Sequence, residues 1–209
     1  MEKTLPENSV LINVCIIPPE EVGKQCVAMS QSLKSDTTLF VLDGKTRFAH
    51  MTVYMARFAN AQIAKVLETT ENILKDVKGF YVEHDGYFMT AGRYLEVSYQ
   101  KSEELMDLHK LLINNLKEYR INPGNPFEEG YFTPYTKEQQ NNAKETGYDL
   151  AHTLYRPHVT LTRYQEKKLP KTAPILPSTE LSFQANKICI YKADDNGAVY
   201  EKLGEYTIK

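Results

Sequence analysis

Apolar positions along the chain follow two periods. Val10 to Ile17 is a nearly continuous apolar run that predicts a strand, and Pro18-Pro19 ends it. Val22, Cys26, Met29 and Leu33 then recur at helical spacing. Leu39 to Leu42, closed by Asp43-Gly44, and His50 to Arg57 predict a second and a third strand. Asn60 is placed to cap a helix whose face carries Ile63, Val66, Leu67, Ile73, Leu74 and Val77. Phe80 to Val82, Tyr87 to Thr90 and Tyr94 to Tyr99 are short strand-like pieces divided by the turn signals Asp85-Gly86 and Gly92.

From Ser102, with Glu103 and Glu104 suited to a helix N-terminus, Leu105, Leu108, Leu112, Leu116 and Tyr119 define a third helix. Residues 120–156 are rich in Asn, Gly, Pro and Tyr. They are too long for an ordinary connection unless a polar helix lies around Lys137 to Lys144, and they read as an insertion or lid. His158 to Tyr164, Ile188 to Tyr191 and Val199 to Thr207, the last two around a turn at Asp194 to Gly197, return the chain to sheet. The expectation is an α+β fold in one domain, residues 1–209, built as two related strand-and-helix halves.

Composition narrows the class without naming a function. The 209 residues are 42% hydrophobic and 25% charged, enough to bury a core. No stretch approaches eighteen consecutive apolar residues and the N-terminus has no basic-then-apolar leader, so a cytoplasmic protein with no membrane segment is expected. Cys15, Cys26 and Cys189 are odd in number and widely spaced, which suits buried thiols in a reducing compartment. A net charge of -2 gives no general attraction to a polyanion and argues against coating long nucleic acid. A small anion or a chain end stays open, because a local cluster suffices.

The chemistry concentrates on two strands. Alternate side chains of a strand share a face, so His50 and Thr52 of HMTV point one way, as do His158 and Thr160 of HVTL. Met51, Val53, Val159 and Leu161 between them are apolar, as strands packed on helices require. Each strand would present an imidazole beside a hydroxyl. Opening a cyclic phosphate needs a base for water and an acid for the departing sugar oxygen, and imidazole suits either role near neutrality. The threonine hydroxyls could donate to non-bridging phosphate oxygens. A metal site is the rival use of histidine, but no Cys pair, no His-x-x-x-His and no Glu adjacent to either motif completes a ligand set.

HMTV and HVTL resemble the paired His-x-Thr motifs of the 2H phosphoesterase family. The resemblance implies a bilobal α+β fold with two pseudo-symmetric antiparallel-sheet lobes, helices on the outer faces and a central cleft. It implies metal-free and cofactor-free chemistry on 2',3'-cyclic phosphates, 2'-5' linkages or RNA 3' ends, as hydrolysis or reversible ligation. It also implies His158 as the base for water and His50 as the acid, an order that the residues by themselves leave open. A nucleotide, an oligonucleotide or an RNA 3' end is then the expected partner, taken by a monomer.

Supporting residues follow from position. Tyr54 is expected to continue the His50 and Thr52 face, and Thr162 and Tyr164 that of His158 and Thr160. Arg47 and Arg156 before the histidines, and Arg57 and Arg163 after them, could clamp phosphate. Phe127, Tyr131, Phe132, Tyr135 and Tyr148 could stack on a base or pack the insertion against its own domain. His84, His109 and His152 read as structural. Two other functions stay in view: a nucleotide or RNA-end binder that keeps the groove without turnover, and a structural protein whose motifs are accidental.

Overall fold

A computed structural model describes residues 8–121, 136–165, 180–194 and 197–208. Ten strands form two four-stranded antiparallel sheets and one two-stranded pair among these residues. The first sheet joins β1 (Ser9–Ile16), β3 (Met51–Ala59), β9 (Lys187–Ala193) and β10 (Val199–Thr207) in the order β10-β9-β1-β3. The second joins β2 (Thr38–Val41), β5 (His84–Met89), β6 (Tyr94–Tyr99) and β7 (His158–Tyr164) in the order β2-β7-β6-β5. β4 (Phe80–Val82) pairs with β8 (Phe183–Ala185), a strand with too few apolar residues to stand out in the sequence.

Helices cover the sheets through stripes that the apolar spacing marks. α1 (Glu20–Ser32) follows the Pro pair and buries Val22, Cys26 and Met29 against β7 and β2. α2 (Ile63–Leu74) is preceded by a 3-10 turn at Asn60–Gln62, and Asn60 makes no side-chain cap; the helix packs on α3 and β10. α3 (Glu103–Leu116) is capped by Ser102, whose side chain accepts from the Leu105 amide, and it buries Leu105, Leu108, Leu112, Ile113 and Leu116 on the β3 side. Fully burying each of these side chains contributes about 1.5–3 kcal/mol.

The lobes are not consecutive halves of the chain. Each sheet draws strands from before and after residue 100, and α1 and α3 each pack on the sheet that does not contain the strand preceding them. Hydrophobic periodicity reveals where an element is, and leaves its partner undecided.

Both histidine strands carry a bulge at the same offset. In β3, Thr52 pairs with Cys15 and Tyr54 with Val14, so Val53 is the extra residue. In β7, Thr160 pairs with Glu96 and Thr162 with Leu95, so Leu161 is extra. Each lies three residues after its histidine. An extra residue reverses the inside-outside phase beyond it, and burial follows: Val53 and Tyr54 are both buried, as are Leu161 and Thr162.

A bulge leaves its residue outside the ladder, and a buried carbonyl there needs another partner. In each lobe a helix supplies it. His109 on α3 donates from Nδ1 to the Val53 carbonyl at 2.6 Å, and Ser30 on α1 donates to the Leu161 carbonyl at 2.5 Å while accepting from the Leu42 amide at 2.7 Å. Both polar residues are fully buried.

The described part of the 120–156 segment includes the polar helix, α4 (Lys137–Thr146), with Thr136 and Gln139 forming a capping box. Its end turns at Gly147, φ 83°, where a Cβ would lie 3.0 Å from the Ala56 side chain. The Thr146 carbonyl accepts from the Tyr54 hydroxyl at 2.6 Å, so α4 docks on the core side of β3, opposite the His50 and Thr52 face. No helix among the described residues is long and apolar enough to cross a membrane. Cys15, Cys26 and Cys189 are buried free thiols.

His109 sets a pH dependence. Nε2 accepts from the His152 amide at 3.1 Å while Nδ1 donates, so the ring is held neutral, and burial pushes it down to about 4. The unfolded state therefore takes up a proton first as pH falls. Stability worth about 3 kcal/mol is present above the ordinary value of 6.5 and lost as pH drops towards 4. Urea unfolding across pH 4 to 7 should show this slope, reduced in a His109→Gln variant.

Candidate functional site

His50 stands one residue before β3, and His158 is the first residue of β7. Both rings are anchored alike. His50 Nδ1 donates to the Phe48 carbonyl at 3.1 Å, and His158 Nδ1 donates to the Arg156 carbonyl at 2.6 Å, each two residues upstream. An imidazole held by Nδ1–H turns Nε2 towards the remaining space, the atom free to exchange a proton. The rings are near enough that charge on His158 disfavours charge on His50. Burial is the larger cause and holds His50 below its ordinary value, against the bonds from the backbone of Phe48 and Gly197.

The two motifs are also tied through the backbone. Tyr155, three residues before His158, donates its hydroxyl to the Thr52 carbonyl at 3.0 Å, and its ring stacks on His109 at 4.0 Å. The residue that holds the first bulge therefore also holds the approach to the second histidine.

Beside Thr52 lies Asn13 of β1, fully buried, donating to the Thr52 Oγ1 at 2.9 Å. The accepted bond leaves the threonine hydroxyl hydrogen free to point elsewhere. Asn13 is the one polar side chain within Val10 to Ile17, a break in an apolar run that could have marked it. Beside Thr160 lies Glu96 of β6, 2% exposed, a buried carboxylate that the sequence hides, because a Glu within YLEVSY has the alternation of an exposed strand position.

The bulges correct the expected extension of each face. Tyr54 does not continue the His50 and Thr52 face; it is 1% exposed with its hydroxyl on Thr146. Thr162 is fully buried with its hydroxyl on the Phe40 carbonyl, and Tyr164 is buried too. Strict alternation pointed to these three, and one extra residue turned each inward. Met55 and Arg57 in β3, and Arg163 in β7, take the outward phase instead.

Arg156 lies in the site. Its Nη1 is 2.6 Å from Glu96 Oε2, and its guanidinium covers the exposed Phe88 ring at 5.0 Å. Arg47 lies over Phe40 at 5.3 Å. Arg163 lies over Tyr94 at 4.6 Å and donates to the Gly92 carbonyl. Near His50, Phe48 packs against Tyr191 at 5.3 Å. Of the insertion aromatics, Tyr148 is buried against Tyr54 and His109, which excludes stacking on a ligand; Phe127, Tyr131, Phe132 and Tyr135 lie outside the described residues. Among the described residues no group of three His, Cys, Asp or Glu is arranged to hold a metal ion.

This arrangement has known counterparts in fold. The 2'-5' RNA ligase superfamily matches the chain over residues 18–197. No curated protein matches it in sequence. Among solved structures, E. coli LigT complexed with phosphate is 13% identical, with a TM-score of 0.63 and 97% of this chain and 99% of that one covered. E. coli LigT complexed with 3'-AMP is 14% identical, TM-score 0.64, covering 96% and 99%. TT0787 of Thermus thermophilus is 15% identical, TM-score 0.63, covering 95% and 97%. At these identities the likeness shows the fold.

The inward turn after each bulge has a measurable consequence. Tyr54→Phe and Thr162→Val should each lower stability by about 1 kcal/mol in chemical denaturation. Both should leave the imidazole NMR resonances of His50 and His158 in place. Displaced resonances would mean that these side chains reach the site.

Proposed function

Because this chain belongs to the 2'-5' RNA ligase superfamily, we propose that it hydrolyses a 2',3'-cyclic phosphate or a 2'-5' phosphodiester of a nucleotide or RNA end, with His50 and His158 as its acid-base pair. The observation that carries this reading is the matched pair of imidazoles, each held by Nδ1 on the carbonyl two residues upstream and coupled to the other by charge. The phosphate and 3'-AMP complexes of E. coli LigT agree with an anionic, nucleotide-like ligand.

One neutral imidazole accepts a proton from water as its oxygen attacks phosphorus. The bond from phosphorus to one ribose oxygen breaks, and the other ring, protonated at Nε2, gives its proton to that oxygen. Thr52, whose Oγ1 already accepts from Asn13, donates to a non-bridging oxygen, and Thr160 does the same from the other side. Run in reverse with a ribose hydroxyl as nucleophile, the same groups join ends. Phe88 beneath Arg156, and Phe48 between Tyr191 and His50, would offer aromatic surface for a base. The reading is of a monomer working in the cytoplasm without metal or cofactor.

His50→Ala and His158→Ala should each lower turnover of a 2',3'-cyclic nucleotide or a 2'-5' oligonucleotide by about 10²–10⁴-fold. Product formation followed by 31P NMR should give a bell-shaped pH profile that EDTA leaves unchanged. Undiminished activity in the double variant would overturn the proposal. Asn13→Leu should cost about tenfold in kcat with a smaller effect on KM, since it frees Thr52 to turn away.

A further inference from the structure

Among the described residues three arginines lie over aromatic rings, and all three rings belong to the second sheet: Phe88 under Arg156 at 5.0 Å, Tyr94 under Arg163 at 4.6 Å and Phe40 under Arg47 at 5.3 Å. Three such pairs is the ordinary number for a chain of 209 residues, at roughly one in every 70–80. Their gathering on one sheet is what calls for a reason.

The ladder arranges them in two rows. Thr160 pairs with Glu96 and Glu96 with Phe88, so one row crosses β7, β6 and β5. Arg163 pairs with Phe40 on one side and Tyr94 on the other, so the next row crosses β2, β7 and β6. Directly paired residues share a face, and the bulge at Leu161 gives Arg163 the same outward phase as Thr160. A regular strand would have put Thr162 there and turned Arg163 towards the core. The rows are two ladder steps, about 7 Å, apart. Glu96 is the one carboxylate in them, and Arg156 already pairs it.

Arg47 joins this face from the loop before His50. The Asp43 carboxylate accepts from the amides of Lys45, Thr46 and Arg47 at 2.7–2.9 Å, and the Arg47 carbonyl accepts from the Asp43 and Gly44 amides at 2.8 and 3.0 Å. These bonds fix the backbone from which Arg47 reaches Phe40.

We propose that this face of the second sheet is a platform for single-stranded RNA, which takes the nucleotides next to the reacting phosphate and makes an oligonucleotide, rather than a mononucleotide, the substrate. This rests on the two-histidine reading and names its substrate class. A guanidinium over a ring is pre-ordered: its edge donates to phosphate oxygens and its plane stacks on a base, so little side-chain freedom is lost on binding. Such stacking tolerates any sequence, because every base has a π-face. A duplex does not fit this mode, since its bases already stack on each other. The net charge of -2 limits the contact to a few nucleotides and opposes coating of long RNA.

The test compares a single-stranded hexaribonucleotide ending in a 3'-phosphate, which offers no bond for the proposed reaction, with 3'-AMP. Wild type should hold the hexamer at least about tenfold tighter, and log Kd should be steeper in log salt by about 0.7 for each added phosphate contact. Arg163→Ala should weaken the hexamer by about tenfold and remove about 0.7 of that slope. Tyr94→Leu takes away the ring and keeps the charge, so it should weaken the hexamer by about threefold with the salt slope kept. In turnover, the kcat/KM ratio of a hexamer ending in a 2',3'-cyclic phosphate to 2',3'-cyclic AMP should fall about tenfold in Arg163→Ala. A hexamer held no tighter than 3'-AMP by the wild type overturns the platform, and this decides even if the variants fail to fold. Hexamer affinity unmoved in Arg163→Ala overturns it too. Turnover of 2',3'-cyclic AMP with no preference for the hexamer upholds the activity and refutes the platform. Hexamer binding that Arg163→Ala weakens, in a chain that turns over no substrate, refutes the activity and upholds the platform.

Discussion

A buried carbonyl without a ladder partner is the constraint on which both halves of the site depend. Each histidine strand contains one extra residue, Val53 or Leu161, and the carbonyl it leaves inside the core is satisfied by a side chain from a covering helix. Leaving such a group unpaired would cost about 1–3 kcal/mol, so the helix, the bulge and the histidine three residues upstream hold their places together. His109 does more than Ser30. It also stacks on Tyr155, whose hydroxyl reaches the Thr52 carbonyl, and so connects the packing of α3 to both motifs.

The bulges explain why the His and Thr face of each strand is short. Without them, Tyr54, Thr162 and Tyr164 would line it. With them, these residues turn inward, and the exposed phase beyond each threonine passes to Met55, Arg57 and Arg163. The shared face of each motif is thereby confined to one imidazole and one hydroxyl, with polar neighbours from adjoining strands: Asn13 on Thr52, and Glu96 with Arg156 near His158.

Much of the fold was legible in the chain. Alternation and helical spacing are local properties of burial, so they place β1, β3, β6, β7 and α1 within a residue or two, while the apolar stripes of α2 and α3 run on to Val77 and Tyr119, past the helix ends at Leu74 and Leu116; composition points to the polar helix inside the 120–156 segment. The His-x-Thr pairs were legible for the same reason: two residues apart on a strand means one face, whatever the rest of the protein does. That rule holds only while the ladder is regular.

What the sequence by itself determined is therefore the identity of the elements and the two motifs they carry. Tertiary structure alone decided that each sheet takes strands from both halves of the chain, and that an extra residue ends each His and Thr face after its threonine. It alone brought Asn13 and Glu96 beside the hydroxyls. The physical reason is that strand partners, bulges and the carbonyls they orphan are settled by hydrogen bonds between residues far apart in sequence. His109 reaches Val53 across 56 positions and Ser30 reaches Leu161 across 131, separations that no local pattern encodes.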